Sequence, residues 1–197
     1  MVDILTGRYS HGMSEERPLT AAGHRVLDAA AELFYRDGIN AVGVARVAEV
    51  AGVTKKTLYD CFGSKDALVT CYLERRDRRW WHHLEQRLET AAAPRALALF
   101  DAYFDHPEID TDRGCAFLNA AAELGPHHPA LEVVRRHKRA VRERLADLVA
   151  ETTADPSVAE MLFLTLEGAT AQLALADHTH TGAARRLAAA HLAGPAS

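Results

Sequence analysis

Apolar residues recur along this chain at the three- and four-residue spacing of an α-helix, and Gly or Pro interrupts each run. The first run begins after Thr20, whose side chain suits a helix N-cap, and stops at Gly38, which suits the left-handed position after a helix. Its apolar members are Val26, Leu27, Ala30, Leu33 and Phe34. Alternation of the strand type never extends beyond a few residues. The pattern therefore predicts an all-α fold.

The breaks divide the chain into about nine predicted helices. After the first, two short helices end at Gly52 and Gly63, and a long fourth helix runs from the capping residue Ser64 to about Thr90. Further helices are predicted over 94–104, 113–124, 129–151, 156–176 and 183–192. Residues 1–18 are polar and are predicted to form a flexible tail, and translation could begin at Met1 or Met13.

The two short helices have the pattern of a helix-turn-helix. Such a unit needs a small residue where its helices approach, a glycine that turns the chain, and apolar residues that lock the second helix onto its neighbour. Ala48 and Gly52, four residues apart, meet the first two demands, and Leu58 and Cys61 would face inward from the next helix. The same arrangement also occurs as a plain packing motif, so the spacing alone leaves both interpretations open.

The outward face of the third helix would then carry lysine, threonine and tyrosine side chains. Such groups can neutralise phosphates, donate to them, or reach base edges in the major groove. Lys65, at the start of the fourth helix, could add a phosphate contact, because a helix N-terminus attracts anions. This face suits DNA, although the formal net charge of −4 would not by itself suggest a nucleic-acid partner.

Two stretches, VLDAAAELFYRDG and AEVAGVTKKTLYDCFGSKDALV, resemble the N-terminal domain of the TetR family of bacterial regulators. The resemblance extends from about Thr20 to Tyr72, and beyond it only the helical layout and the segment RGCAFLNAAAEL look like the family. It implies that the third helix enters the major groove and that Tyr59 and Lys65 contact phosphates. It also implies a homodimer bound to a palindromic operator.

Three residues depart from the family pattern. Gly43 stands where Ser or Thr usually caps the second helix, and Ala45 stands where the family often has a phosphate-binding arginine, with Arg46 beside it as a substitute. Asp60 would repel phosphate; it could accept from a cytosine amino group, but we expect it to point to solvent. The predicted DNA-contacting residues are Ala45, Arg46, Thr54, Lys55, Lys56, Thr57, Tyr59 and Lys65.

The rest of the chain is expected to bind an effector and to dimerise. The resemblance divides the protein into a helix-turn-helix domain over 19–64 and a helical domain over 65–197. The last two long segments are rich in Ala and include Gly168, so their backbones could approach closely between subunits, although a monomeric core would use the same residues. A small-molecule effector of unknown identity could contact Phe100, Tyr103, Phe104, Phe117, Asn119, Met161, Phe163, Thr165 and Glu167, which could equally be ordinary core.

Other classes of function find little support in the sequence. Cys61, Cys71 and Cys115 lack the spacing of a disulfide framework or a zinc site, and no converging catalytic set is recognisable, so we expect neither an enzyme, nor a metal site, nor a cofactor. The pairs His127–His128 and His178–His180 are interpreted as surface histidines. The run RRDRRWWHH is interpreted as a solvated face with one buried tryptophan.

Without a signal peptide or a bilayer-spanning run, a cytoplasmic location is expected. The sequence leaves one alternative, a helix-turn-helix regulator that is controlled by a protein partner or acts without a ligand. It also leaves open whether the protein is a repressor, which we expect, or an activator.

Overall fold

The computed structural model describes residues 19–105, 113–175 and 179–193. In these ranges the chain forms nine helices and no strand, which confirms the predicted all-α class. The helices are α1 Ala21–Asp37, α2 Val44–Val50, α3 Lys55–Phe62, α4 Lys65–Thr90, α5 Ala96–Phe104, α6 Ala116–Glu123, α7 Ala130–Ala150, α8 Pro156–Leu173 and α9 Thr179–Leu192. No helix in the described part of the chain is both long and apolar enough to cross a bilayer.

The N-termini of α1, α3 and α4 begin where the sequence predicted them, and side-chain caps are the reason. Thr20 Oγ1 accepts from the backbone N–H of Gly23 at 3.1 Å, and Thr54 Oγ1 accepts from Thr57 at 3.0 Å. Ser64 Oγ likewise accepts from Ala67 at 3.0 Å. Each cap satisfies an N–H that the helix leaves unpaired in its first turn.

Several other boundaries differ from the prediction. Gly38 has a positive φ of 95°, as expected after a helix, but its ψ of 147° is extended and not left-handed helical. The start of α6 is at Ala116, after Gly114 at φ 68°, whereas the sequence placed it at residue 113. Helix α9 begins at Thr179, one turn before the predicted start. Helix α8 ends at Leu173, before the predicted end at residue 176. The predicted tail over 1–18 lies outside the described residues.

Two apolar cores lie along the length of α4. The first joins α1, α2, α3 and the beginning of α4 to α6 and the start of α7. The second joins the remainder of α4 to α5, α7, α8 and α9. Helix α4 contributes Leu68 and Leu73 to the first core, and Leu84 and Leu88 to the second. The first core therefore continues past residue 64, and α6 packs directly against the N-terminal helices.

Candidate nucleic-acid interface and buried cavity

The turn between α2 and α3 holds the two helices as a helix-turn-helix requires. Gly52 has a φ of 63° and lies between the helices, where its backbone conformation favours glycine. Ala48 is buried, and its carbonyl accepts from Val53 N–H at 3.0 Å across the turn. Leu58 is fully buried, so α3 is anchored through one face and its opposite face is left at the surface.

The exposed face of α3 carries Thr54, Lys55, Lys56 and Tyr59, with Tyr59 44% exposed. The hydroxyl groups of Thr54 and Thr57 lie 2.9 Å apart, which fixes both side chains at the helix start. This combination leaves two ammonium groups, a phenol and two ordered hydroxyls on one surface. Of the inward pair, Leu58 is buried as the spacing required, whereas Cys61 is only half-buried.

Asp60 changes the charge of this surface. Its Oδ2 lies 2.7 Å from Lys56 Nζ, one helical turn away, and this hydrogen bond raises the pKa of Lys56. Asp60 is exposed, as expected, but its carboxylate is paired with a lysine at the surface. No carboxylate among the described residues pairs with Lys55. Lys55 therefore carries the unpaired positive charge of α3.

The remaining predicted DNA contacts lie around α3. Ala45 and Arg46 are exposed on α2, and Arg46 forms an ion pair of 2.9 Å with Glu49. Lys65 is half-buried at the start of α4, with its Nζ 6.0 Å from the centroid of the Phe34 ring. All eight predicted residues thus belong to α2, α3 or the helix ends next to them.

A partly enclosed cavity of about 30 Å³ lies where α4, α5, α6, α7 and α8 meet. This volume is well below the roughly 300–1,000 Å³ that is typical of small-molecule sites, so an occupant must be compact. Aromatic and apolar side chains dominate the wall. The lining residues are Arg76, Trp80, Tyr103, Gly114, Cys115, Ala116, Phe117, His137, Thr170 and Leu173.

A buried polar chain forms one side of the cavity. His137 Nδ1 lies 2.7 Å from Asp77 Oδ1, and His137 Nε2 lies 3.2 Å from Tyr103 Oη. Burial lowers the pKa of His137 to about 4, despite the opposing hydrogen bond to Asp77, so the imidazole is neutral near pH 7. Its Nδ1–H therefore donates to Asp77, and its Nε2 accepts from the hydroxyl of Tyr103. The ring of Phe117 stacks on the imidazole at 3.7 Å between centroids.

The residues predicted to bind an effector are dispersed. Tyr103 and Phe117 line the cavity. Phe100 is buried in the second core with Phe104 packed against it, and Asn119 donates to the Arg113 carbonyl at 2.7 Å. On α8, Met161 and Phe163 pack on the second core, Thr165 donates to the carbonyl of Met161, and Glu167 pairs with Lys138 at 2.7 Å.

Four chemically informative cavity residues were absent from the sequence prediction: Arg76, Trp80, Cys115 and His137. A signal for His137 existed, because it continues the buried stripe of Val133, Val141 and Leu145 on α7. Asp77 likewise falls on the buried stripe of α4 between Leu73 and Trp80. The run RRDRRWWHH is therefore less solvated than predicted, since it buries Asp77 as well as Trp80.

The histidine pairs also differ in part from their interpretation as surface groups. His127 is exposed, but His128 Nδ1 accepts from the backbone N–H of Ala130 at 3.1 Å, and its Nε2 lies 3.4 Å from Asp66 Oδ1. His180 is exposed, and His178 lies outside the described residues. In the described ranges, no three His, Cys, Asp or Glu side chains come together as a group that could hold a metal ion.

The wall of the cavity is connected to the N-terminal helices by hydrogen bonds. Tyr35 Oη donates to the carbonyl of Gly114 at 2.9 Å, and Arg113 donates to the carbonyls of Tyr35 and Arg36 at 3.1 Å. At the other end of α6, the backbone N–H of Asn40 donates to Glu123 Oε2 at 3.0 Å. The segment 113–123 therefore contacts both the cavity and the end of α1.

Comparisons with known proteins agree with this architecture. Residues 26–70 match the family described as bacterial regulatory proteins, tetR family. An uncharacterized HTH-type transcriptional regulator of Mycobacterium tuberculosis, MT1294, is 34% identical over 37% of this chain, and the match spans only 36% of that relative. The transcriptional repressor KstR2 of Mycolicibacterium smegmatis is 29% identical over 74% of this chain and 72% of its own length.

Among solved structures, SCO4454, a TetR-family transcriptional regulator from Streptomyces coelicolor, has a TM-score of 0.80 and 28% sequence identity. The alignment covers 87% of this chain and 94% of that one. Likeness to these proteins thus includes both the N-terminal segment and the helical layout of the remainder.

Proposed function

We propose that this chain is a TetR-family transcriptional regulator with a DNA-binding helix-turn-helix. In this proposal it acts as a homodimeric repressor at a palindromic operator and is released by a small molecule. The observation that carries the proposal is the anchoring of α3 by buried Leu58, which leaves the surface from Thr54 to Tyr59 exposed. Because bacterial operator DNA lies in the cytoplasm, the proposal places the protein there. The proposal assigns the protein no enzymatic activity.

Dimerisation is required mechanically, since one α3 of eight residues reads few bases and two-fold pairing doubles the recognised half-sites. The exposed face of α8 supports it: Leu164 is 63% exposed, and Gly168 and Ala171 follow on the same face. A Cβ placed on Gly168 would meet open space, so another backbone could approach closely there. On α9, Leu187 is 43% exposed. We assign this α8–α9 face to the partner subunit.

Release by a small molecule is supported by the cavity and by its position. A partly enclosed site favours a small effector over a protein partner, for which an open apolar groove would be expected. An occupant would press on α4 and on the segment 113–123, both of which contact α1. Because an effector can act only through its different affinities for the two arrangements, we expect a coupling of roughly 1–3 kcal/mol.

Selection of bound duplexes from a random pool tests the DNA-binding part of the proposal. We expect a palindromic sequence, bound with an affinity that falls steeply as salt concentration rises. Selection of no preferred sequence, or of a site without two-fold symmetry, would contradict it. Addition of a molecule shown to bind the cavity should then weaken operator binding, and unchanged affinity would refute release by an effector.

Within α3 we propose that Lys55 and Lys56 supply most of the local DNA affinity. Binding of the selected duplex by lysine variants tests this contribution. Replacing both with Ala should lower affinity in low salt and reduce the slope of log K against log salt by roughly 0.9 for each lost phosphate contact. The control is the double change of Arg78 and Arg79 to Ala on the exposed surface of α4, which removes the same amount of positive charge outside α3. Unchanged binding by the α3 variant would overturn the assignment.

A further inference from the structure

Two hydrogen-bond donors lie one turn apart on the cavity-facing side of α4. Arg76 and Trp80 both line the cavity, and their spacing of four residues puts them on the same helix face. Trp80 is only 3% exposed, and its Nε1 has no hydrogen-bond partner in the described structure. A buried donor without an acceptor costs roughly 1–3 kcal/mol, so such a group is usually completed by a partner.

The guanidinium of Arg76 is also without a carboxylate. It lies 4.4 Å from the centroid of the Tyr35 ring, a cation–π contact, and it also hydrogen-bonds to the buried side chain of Tyr72. No described Asp or Glu forms an ion pair with it. The other polar groups of the wall already have partners. His137 and Tyr103 bond to each other, and Thr170 Oγ1 donates to the carbonyl of Leu166 at 2.6 Å. The α4 groups that can still form hydrogen bonds in the cavity are therefore donors, Trp80 Nε1–H and the cationic guanidinium of Arg76.

We propose that the occupant of the cavity is a small monocarboxylic acid with a compact apolar body. The carboxylate accepts from Trp80 Nε1–H and pairs with Arg76, which compensates the removal of a charge from water. The apolar body lies against Ala116, Phe117 and Leu173. This inference rests on the proposed function only in treating the cavity as the effector site.

The position of Arg76 also gives the carboxylate a means of affecting α1. The guanidinium stacks on Tyr35, whose hydroxyl donates to Gly114 at the start of the segment that leads into α6. A carboxylate that attracts Arg76 competes with the Tyr35 ring for the same cation. Binding is therefore expected to weaken the contact between α4 and α1, two helices that position the helix-turn-helix.

The direct test is calorimetric titration of the full chain with benzoate, phenylacetate and isovalerate, each compared with its primary amide. We expect at least one acid to bind about tenfold or more tightly than its amide, because only the carboxylate pairs with Arg76. Equal affinities of acids and amides would overturn the proposal, and so would the failure of all three acids to bind.

Matched variants separate the two donors from general packing. Trp80→Phe keeps an aromatic ring but removes the N–H, and Arg76→Gln removes the cation; each should weaken binding of the acid about tenfold or more. Trp81→Phe and Arg78→Gln make the same changes at neighbouring positions outside the cavity lining and should retain affinity. Thermal unfolding of each variant confirms that it folds.

Retained acid binding by folded Trp80→Phe and Arg76→Gln would contradict the assignment of these donors. Operator binding by the unliganded wild-type protein is measured in parallel. Its loss would count against the proposed function, whereas intact operator binding without any preference for acids would count against this inference alone.

Discussion

At the scale of single residues, Asp60 controls how much positive charge α3 presents. Its ion pair with Lys56 spans one helical turn at the surface, where such pairs contribute little to folding stability. The pair holds a carboxylate beside the surface that is proposed to meet phosphates. We therefore expect the Lys56–Asp60 pair to affect DNA binding more than folding stability.

Replacing Asp60 with Asn should increase affinity for DNA of any sequence, because it removes a repulsive charge and releases Lys56. We expect a gain of a few fold to about tenfold in low salt, decreasing as salt rises. Fluorescence anisotropy with the selected operator and with a scrambled duplex measures it. Glu89→Gln, the same change of charge at an exposed position near the end of α4, is the control. A loss of affinity confined to the operator would instead indicate that Asp60 reads a base.

His137 makes stability depend on pH. Burial lowers its pKa from 6.5 to about 4, so between these values the unfolded chain binds a proton that the folded chain does not. The free energy of unfolding should therefore fall as pH falls from 6.5 to about 4, by an amount on the order of 3 kcal/mol.

Urea denaturation of wild type and His137→Gln at pH 7 and pH 4.5 isolates this contribution from that of the carboxylates. The variant should be less stable at pH 7 but should lose less stability on acidification. His127→Gln, at an exposed position, should follow the wild type. If His137→Gln and wild type lost equal stability, the imidazole would not be the responsible group.

At the scale of elements, the helix-turn-helix depends on one glycine and tolerates another. Gly52 has a φ of 63°, where an L side chain is strained even though a Cβ there would meet no neighbour. Gly43 has an ordinary φ of −82° at the N-cap of α2, with no side-chain cap. The same substitution should therefore act differently at the two sites.

Gly52→Ser should destabilise the protein by about 1 kcal/mol, whereas Gly43→Ser should leave stability unchanged or raise it by a few tenths of a kcal/mol. The second variant supplies a hydroxyl that can accept from an unpaired N–H of α2. Thermal unfolding of the two proteins makes the comparison. Equal destabilisation at both positions would show that the turn does not require a positive φ at Gly52.

At the scale of the whole molecule, the α8–α9 face determines whether two recognition helices act together. Leu164→Glu puts a charge at the centre of the proposed interface and should weaken the dimer at least tenfold, with loss of operator affinity. Sedimentation equilibrium measures the first effect, and duplex binding measures the second. Ala146→Glu, on the exposed side of α7, should remain dimeric. A fully dimeric Leu164→Glu protein would place the interface elsewhere.

The sequence by itself determined the helical class, the helix-turn-helix and most helix starts. These features depend on residues that are close in the chain. Thr20, Thr54 and Ser64 cap through an N–H three residues on, and Gly52 follows Ala48 by one helical turn. Spacing of this kind is visible without knowledge of the partner helices.

Only the tertiary structure decided which side chains form the cavity. Asp77 and His137 are 60 residues apart and meet because α4 and α7 pack in a particular register, and the Tyr35 hydroxyl reaches Gly114 across 79 residues. Periodicity predicts which face of a helix is buried, but it does not specify the helix that covers that face. The positions of Arg76 and Trp80 at the cavity, and with them the expected chemistry of the effector, follow from packing between residues that are far apart in the chain.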